Sequence, residues 1–327
     1  MRTLFVTDAL DTLHGDIDAT VGLMAAAQAE GLEVWVCGPE DLTVVDGRLC
    51  TRTRRVELRA RTRTDGHRWR IEPRWYDEVE LAVLDVASAF GVVLLRIDPP
   101  VDARYLHTTY LLDLAVAAGV RVANDPAGVR ALHEKIVALH LPELCPRTLV
   151  TTSATEVESF VAELGRAVVK PVDGFAGTDV WLLERGSAVR ALAESATRAG
   201  TRHVIVQEYL PSVTEGNKRL FVLDGEITGA VLRRPSANDF RIGPPVAAAR
   251  PDDADHRIVA TLAPLLTAHG ISLAGVDVIA GRLIEVNVTC PGGMHKADAL
   301  LGTDYSGRIV RRLLAHQRVS TTEGSLS

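Results

Sequence analysis

Short apolar runs rich in Val, Ile and Leu alternate with Ala-rich amphipathic runs through the first third of the chain. Residues 2–7 and 32–37 read as strands flanking a helix over 21–30, which Gly31 closes. Residues 92–95 read as a buried strand, followed by a helix over 105–118 stopped at Gly119 and a strand over 120–123. This strand–helix–strand order predicts a parallel sheet. Between the two halves, residues 51–63 (T-R-T-R-R-V-E-L-R-A-R-T-R) alternate close to period two, predicting an exposed hairpin with one charged face. Asn124-Asp125-Pro126 then turns the chain, so residues 1–122 form an N-terminal α/β domain.

Beyond that turn the pattern changes to α+β. A helix over 126–140, strands over 148–151, 167–171 and 180–183, and a helix over 153–164 make a second domain, 123–200. The third, 201–316, is richer in strands: 204–209, 220–223, the hairpin turn Asp224-Gly225, and 227–232. A long irregular segment over 236–255, a helix over 256–269 and a hairpin over 271–293 with its tight turn at Ala280-Gly281 follow. The chain ends in a helix and a polar tail, 317–327, expected to be disordered.

Composition narrows the function classes. A chain of 327 residues with 47% apolar and 24% charged residues belongs to an ordinary globular protein of two or three domains. Its net charge of −6 is too small to argue for nucleic acid. Residues 47–74 carry many arginines beside Trp69, Trp75 and Tyr76, a mixture that single-stranded nucleic acid can use, but the period-two alternation favours a solvated, charged hairpin. Cys37, Cys50, Cys145 and Cys290 are scattered without a CxxC pair, which suits a reduced, cytoplasmic chain. No signal-like segment and no membrane-length apolar run is present, so neither membrane nor nucleic acid is an expected partner.

Candidate chemistry is concentrated in the last hairpin. Glu285 and Asn287 are two apart and share a strand face, and the hairpin brings Asp277 alongside. Two carboxylates and an amide there make either a hard-cation site of the Mg²⁺ type or a sheet face open to water. Arg96, ahead of Asp98-Pro99-Pro100, either clamps a substrate carboxylate or pairs with Asp98. Asp8, Asp16 and Asp18 follow the first strand, where open α/β sheets place ligands, or serve as caps. The loop 172–179 after Lys170 either wraps phosphate oxygens or is a plain turn. His133 and His140 lack zinc-ligand spacing. Arginine far outnumbers lysine, the only lysines being Lys135, Lys170, Lys218 and Lys296.

In chain order, these pieces resemble bacterial glutathione synthetase, of the ATP-grasp superfamily of carboxylate–amine ligases. The likeness covers about residues 3–316. It rests on Arg96-x-Asp98-Pro99-Pro100 with Tyr110, Asn124-x-Pro126, Glu134-Lys135, Lys170-Pro171-x-Asp173-Gly174, Gln207-x-Tyr209-Leu210-Pro211, Lys218-Arg219, Asp224-Gly225-Glu226, Asp277 and Glu285-x-Asn287-Val288-Thr289. The resemblance implies an N-terminal parallel α/β domain and two α+β domains clasping ATP. It implies ATP phosphates on Lys135 and Lys170 under the loop Asp173, Gly174 and Gly177, and adenine near Gln207, Glu208, Tyr209 and Leu210. Mg²⁺ (or Mn²⁺) would sit on Asp277, Glu285 and Asn287. Arg219 would contact the phosphate and substrate region, Arg233 or Arg234 and Arg241 would orient the acyl phosphate and the substrate, and Asp18, Arg96, Asp98 and Tyr110 would meet the substrate. The implied reaction is amide formation between amino-acid or peptide substrates through an acyl phosphate, in a homo-oligomer (dimer or tetramer).

Departures fall mainly on the substrate side. A glycine-rich, Arg-Gly-Asn-containing loop of the family is replaced here by residues 240–249, where Arg241 remains but Pro244 and Pro245 stiffen the chain. Ala176 stands where a glycine is usual, Asn217 where an Asp is usual, and Ile97 where a lysine is usual, and Cys290-Pro291-Gly292-Gly293 is also altered. The resemblance implies glutathione synthesis, while these changes point to other substrates, a γ-glutamyl or other amino acid joined in a specialised peptide pathway. The alternative is a catalytically silent ATP-binding regulator of the same fold.

Overall fold

The computed structural model describes residues 1–174, 178–186, 188–236 and 239–323. The first of its sheets is seven-stranded: β1 (Arg2–Thr7), β2 (Glu33–Cys37), β3 (Leu42–Val45), β4 (Arg48–Leu58), β5 (Tyr76–Asp85), β6 (Val92–Arg96) and β7 (Arg121–Ala123). Strands β2, β1, β6 and β7 run parallel. Helices α1 (Ala19–Ala29), α2 (Val86–Ala89) and α3 (Ala103–Ala117) belong to this domain, and β6 is buried along its whole length, as a strand covered on both faces must be. Asp18 and Asp102 cap α1 and α3 with their side chains.

β3, β4 and β5 add antiparallel pairs, so the sheet is mixed and not purely parallel. The period-two segment is β4, which makes a local hairpin with β3 and also pairs with β2 and the distant β5, while the bridge Thr62–Arg70 joins residues within the β4–β5 connection. Its arginines are taken up by acids: Arg48 by Asp85, Arg52 by Asp41, Arg54 by Glu78 and Arg59 by Asp77 and Glu72.

The second sheet has strands β8 (Thr148–Thr151), β9 (Arg166–Pro171), β10 (Trp181–Glu184) and β11 (Val204–Glu208) in the order β10-β9-β11-β8. Residues 204–209, placed by the sequence in the third domain, therefore give an interior strand of the second. Pairing with β8 and β9 spans many residues, which local pattern does not encode. The expected helix over 126–140 also breaks. Helix α4 (Pro126–Ala131) ends early, and a 3₁₀ turn at Val137–His140 follows, leaving Glu134 and Lys135 on the bend between them. Helices α5 (Ala154–Leu164) and α6 (Val189–Ala196) cover the sheet. Val157, Val161, Ala167, Val169, Leu183, Val189, Ala193, Val204 and Val206 form a core of their own.

The third sheet is antiparallel: β12 (Asn217–Leu223), β13 (Glu226–Pro235), β14 (Ile242–Ala248), β15 (Leu273–Ile279) and β16 (Arg282–Asn287), ordered β14-β13-β12-β15-β16. Strand β14 replaces part of the expected irregular segment over 236–255. It is an edge strand, where Pro244 and Pro245 are tolerated, and its register with β13 is irregular. Helices α7 (Asp253–Ala268), α8 (Met294–Leu301) and α9 (Tyr305–Glu323) complete the domain. Residues 317–323, expected as tail, continue α9, and residues 324–327 lie outside the described residues. The first and third sheets share their cores: Leu4 and Trp35 belong to one apolar cluster with Leu220 and Val276, and Phe5 and Leu94 to another with Phe221 and Val231. No described helix is long and apolar enough to cross a membrane.

Candidate active site

The central sheet and the antiparallel C-terminal sheet face each other across a cleft of about 890 Å³. Its apolar lining includes Val168 and Val180 from one wall and Ile279 and Ile284 from the other, with Tyr209 and Leu210 on the chain that crosses between them. A flat heteroaromatic ring fits such a slot, and Gln207, Glu208, Tyr209 and Leu210 all line it.

Lys135 and Lys170 enter from the bend after α4 and from β9, and both are buried. Lys135 Nζ donates to the carbonyl of Gly174 and lies 3.3 Å from Glu285 Oε1. Among the described residues Lys170 Nζ has Gln207 Oε1, at 3.5 Å, as its one partner. Burial pushes its ammonium below the ordinary lysine range, with Glu285 opposing and Lys135 adding to the effect. Incoming phosphate oxygens would supply the anion it lacks. Asp173 is mostly exposed, 3.8 Å from His133 Nε2, and lines a neighbouring groove, not the cleft. Gly177 lies outside the described residues.

The opposite wall is the β15–β16 hairpin. The register pairs Gly275 with Asn287 and Asp277 with Glu285, so all three predicted donors come together. Asp277 is buried and held by Arg219 from β12, Nε to Oδ1 at 2.6 Å and the other guanidinium arm to Oδ2 at 2.7 Å. Arg233 adds a third bond, 3.2 Å to Oδ2. Burial alone would raise the Asp277 carboxyl, but the two guanidiniums outweigh it and hold it below the usual carboxylate range. Burial brings Arg233 down to about 10, since it shares its one carboxylate with Arg219.

Mg²⁺ needs hard oxygen donors and commonly takes one or two carboxylates, completing its shell with water and phosphate. Glu285 has a partly exposed carboxylate, and Asn287 donates through Nδ2 to Gly275 O at 3.0 Å, which leaves its amide oxygen as a free acceptor. Asp277 has both oxygens engaged by arginine, Oδ2 twice, so Oδ1 is the one with a second lone pair to offer. No group of three or more His, Cys, Asp or Glu gathers among the described residues, this wall included, which offers two carboxylates and an amide. The donor set fits a cation that phosphates help to hold.

Other predicted residues separate. Arg241 lines the cleft, its guanidinium paired with Asp239 at 2.7 Å. Arg234, one step along β13 from Arg233, points outward and bonds the carbonyl of Glu215. Tyr110 is also outside: it is 56% exposed on α3, under the Arg130 guanidinium. Asp98 lines the cleft, but Arg96 is buried behind it. Arg96 neither pairs with Asp98 nor faces the cleft, and instead bonds Thr20 Oγ1 and Pro291 O. Asp18 caps α1 through Thr20, and burial raises its carboxyl.

Two site residues were not singled out by sequence. Glu134 Oε1 accepts from Val288 N, Thr289 N and Thr289 Oγ1 at 3.0, 3.0 and 2.6 Å, tying the Lys135 bend to the end of β16. Its place beside Lys135 in a motif was the available signal. Lys296, on α8, also lines the cleft, and lysine scarcity was its signal.

A nucleotide slot between two sheets, lysines on one wall and an acid–amide set on the other define an ATP-grasp ligase. Comparison bears this out. Residues 1–130 match the prokaryotic glutathione synthetase N-terminal domain, and residues 134–302 the prokaryotic glutathione synthetase ATP-grasp domain. The chain is 37% identical over 322 residues to a glutathione synthetase of Thermosynechococcus vestitus, covering 96% of this chain and 100% of that one. It is 35% identical over 297 residues to that of Bordetella parapertussis, covering 89% and 92%. Among solved structures it is similar in fold to D-cycloserine synthetase DcsG, with a TM-score of 0.66 at 19% identity over 97% of this chain and 100% of that one. It is likewise similar to ATP-grasp ligase PsnB complexed with minimal precursor, Mg and ADP, with a TM-score of 0.62 at 18% identity over 97% and 98%. The chain belongs to the prokaryotic glutathione synthetase family, and its enzyme class is ATP-dependent ligase.

Proposed function

We propose that this enzyme joins glycine to γ-glutamylcysteine at the expense of ATP, in the cleft between the central and C-terminal sheets. The observation that carries the reading is the facing of Lys135 and Lys170 against Glu285, Asn287 and Asp277 across one nucleotide-sized slot. Lys135 and Lys170 bind the ATP phosphates, while Val168, Ile279 and Ile284 enclose adenine. Mg²⁺ (Mn²⁺ as a substitute) on the Glu285–Asn287–Asp277 wall neutralises phosphate charge when bound. Phosphoryl transfer to a carboxylate asks mainly for alignment and charge neutralisation. Alignment alone can supply roughly 7–11 kcal/mol of the barrier. Arg233 and Arg241 line the same cleft and orient the carboxylate that becomes the acyl phosphate. The central domain, with its separate core, closes over the site and keeps water from the reactive acyl group.

The protein acts in the cytoplasm as a symmetric homo-oligomer, a dimer or tetramer. In support, β5 pairs only with β4 among the described strands, and its Leu81 and Val83 are 69% and 73% exposed.

The test is ADP release with γ-glutamylcysteine and glycine, each alone and together, with mass spectrometry of the product and other amino acids in parallel. ADP formation that requires both substrates supports the reading. Tight ATP–Mg²⁺ binding with no ADP from any pair would replace it with a silent regulator. Product only with another amine would move the enzyme to a different peptide.

A further inference from the structure

Lys296 is a cation in the cleft with no ion-pair partner among the described residues. It sits in the first turn of α8 and contributes to the cleft wall near Cys290, Gly292 and Gly293, the stretch that departs from the family pattern. The other cleft cations divide cleanly. Lys135 has Glu285, Arg219 and Arg233 share Asp277, and Arg241 has Asp239. Only Lys170 and Lys296 lack an ion-pair partner among the described residues. Lys170 lies beside Lys135 and Gln207 at the phosphate end, so its anion is accounted for.

Lys296 enters from α8, within electrostatic reach of Arg68 and Arg233, which repel it, and of Asp18 and Asp16, which attract it. Burial is the larger influence and holds its ammonium below the ordinary range, with the two guanidiniums adding to the effect. A partly buried lysine with no ion-pair partner among the described residues is unfavourable for folding, since the distant attraction of Asp18 and Asp16 is offset by Arg68 and Arg233. Its place is explained by an anion that arrives with the substrates.

We propose that Lys296, with Arg233 beside it, binds a substrate carboxylate that does not react. The inference rests on the function proposed above. γ-Glutamylcysteine carries two carboxylates, of which one is activated, and glycine carries one that is not. Either spectator group presents the same chemistry to the lysine.

The experiment compares wild type with Lys296→Met, which keeps length and removes charge, and with Lys296→Arg. KM is measured for γ-glutamylcysteine, glycine and ATP, and then with the spectator carboxylate of each substrate replaced by an amide. A lost charged hydrogen bond predicts a KM about 10- to 100-fold higher for one substrate in Lys296→Met. The KM for ATP should be unchanged, and Lys296→Arg should recover part of the loss. The amide analogue of that same substrate should bind both enzymes alike, which a merely structural role would not produce. The substrate affected identifies the source of the carboxylate. Unchanged KM values in a Lys296→Met enzyme that still makes product overturn the inference and leave the function standing. So does a loss that adds in full to the loss from amidation. Calorimetric titration of γ-glutamylcysteine and glycine into enzyme loaded with a non-hydrolysable ATP analogue, wild type against Lys296→Met, decides the point even where no product forms. Equal affinities there overturn it as well.

Discussion

Arg219 and Asp277 stand opposite each other in register on β12 and β15, joined by two hydrogen bonds of 2.6 and 2.7 Å with both side chains almost out of water. The pair gives Asp277 a structural duty beside its place on the cation wall. Arg219→Met leaves a buried carboxylate with Arg233 as its remaining arginine and should destabilise the fold by roughly 3–5 kcal/mol. Arg219→Met with Asp277→Leu should recover much of that stability in denaturant titration, and yet make no ADP. Glu285→Ala, whose carboxylate is partly exposed, should lose ADP formation while the unfolding midpoint stays near wild type. Activity retained in both Glu285→Ala and Asp277→Ala would refute the cation wall.

Lys170 should give nucleotide binding a proton signature. Its folded-state pKa is lowered by burial, so between that value and the unfolded one the unfolded chain binds more protons, and the empty enzyme gains stability as pH rises through this window. A bound triphosphate restores the charge. ATP binding at alkaline pH should therefore take up a proton, and affinity should fall as pH rises. Calorimetry in two buffers of different ionisation enthalpy measures the uptake, and Lys170→Met should abolish it.

Glu134 holds the Lys135 bend onto the strand that carries Glu285 and Asn287. Glu134→Ala strands two backbone N–H groups and a hydroxyl, at about 1.5–3 kcal/mol for the strongest of these bonds. It should lower Tm and raise the KM for ATP together. Burial, and then the charge of Glu285, raise the Glu134 carboxyl above its unfolded value. Its contribution to stability is therefore complete at pH below the unfolded pKa and declines as pH climbs through the raised one. Acid titration of stability in wild type against Glu134→Gln should show that slope disappear.

Ala280 offers a gain. The hairpin turns Asp46-Gly47, Asp224-Gly225 and Ala280-Gly281 all have both central residues at positive φ, 49° and 78°, 48° and 79°, and 48° and 73°. Asp and Asn accept that conformation readily, and alanine does not. Ala280→Asn should stabilise the protein by about 0.5–1 kcal/mol, read as a higher unfolding midpoint with kcat unchanged.

The hairpin with Asp277, Glu285 and Asn287 was legible because strand side chains alternate and a two-residue turn fixes register. Lys135 and Lys170 were picked out by the resemblance, which lysine scarcity made easier to notice. Arg233 could not be told from Arg234, since the registers of β13 slip at Leu232/Arg233 and Arg233/Pro235 and only three dimensions show which arginine turns inward. Tyr110 was misplaced because a helix pattern does not say which face meets solvent. Arg96 was expected to clamp a substrate carboxylate or pair with Asp98 and is buried on other partners, Thr20 and Pro291, which are remote in sequence. The second sheet was cut short at residue 200 because the partners of β11 lie across a long stretch of chain.

The central sheet keeps its packed side chains to itself. Swinging it away from its neighbours therefore uncovers no shared oil. What must be undone is polar, such as the Lys135 bond to Gly174 and the His133 approach to Asp173. The opening proposed above would then need only a few exchangeable contacts to give way, so cargo could enter and leave without the interior being disturbed.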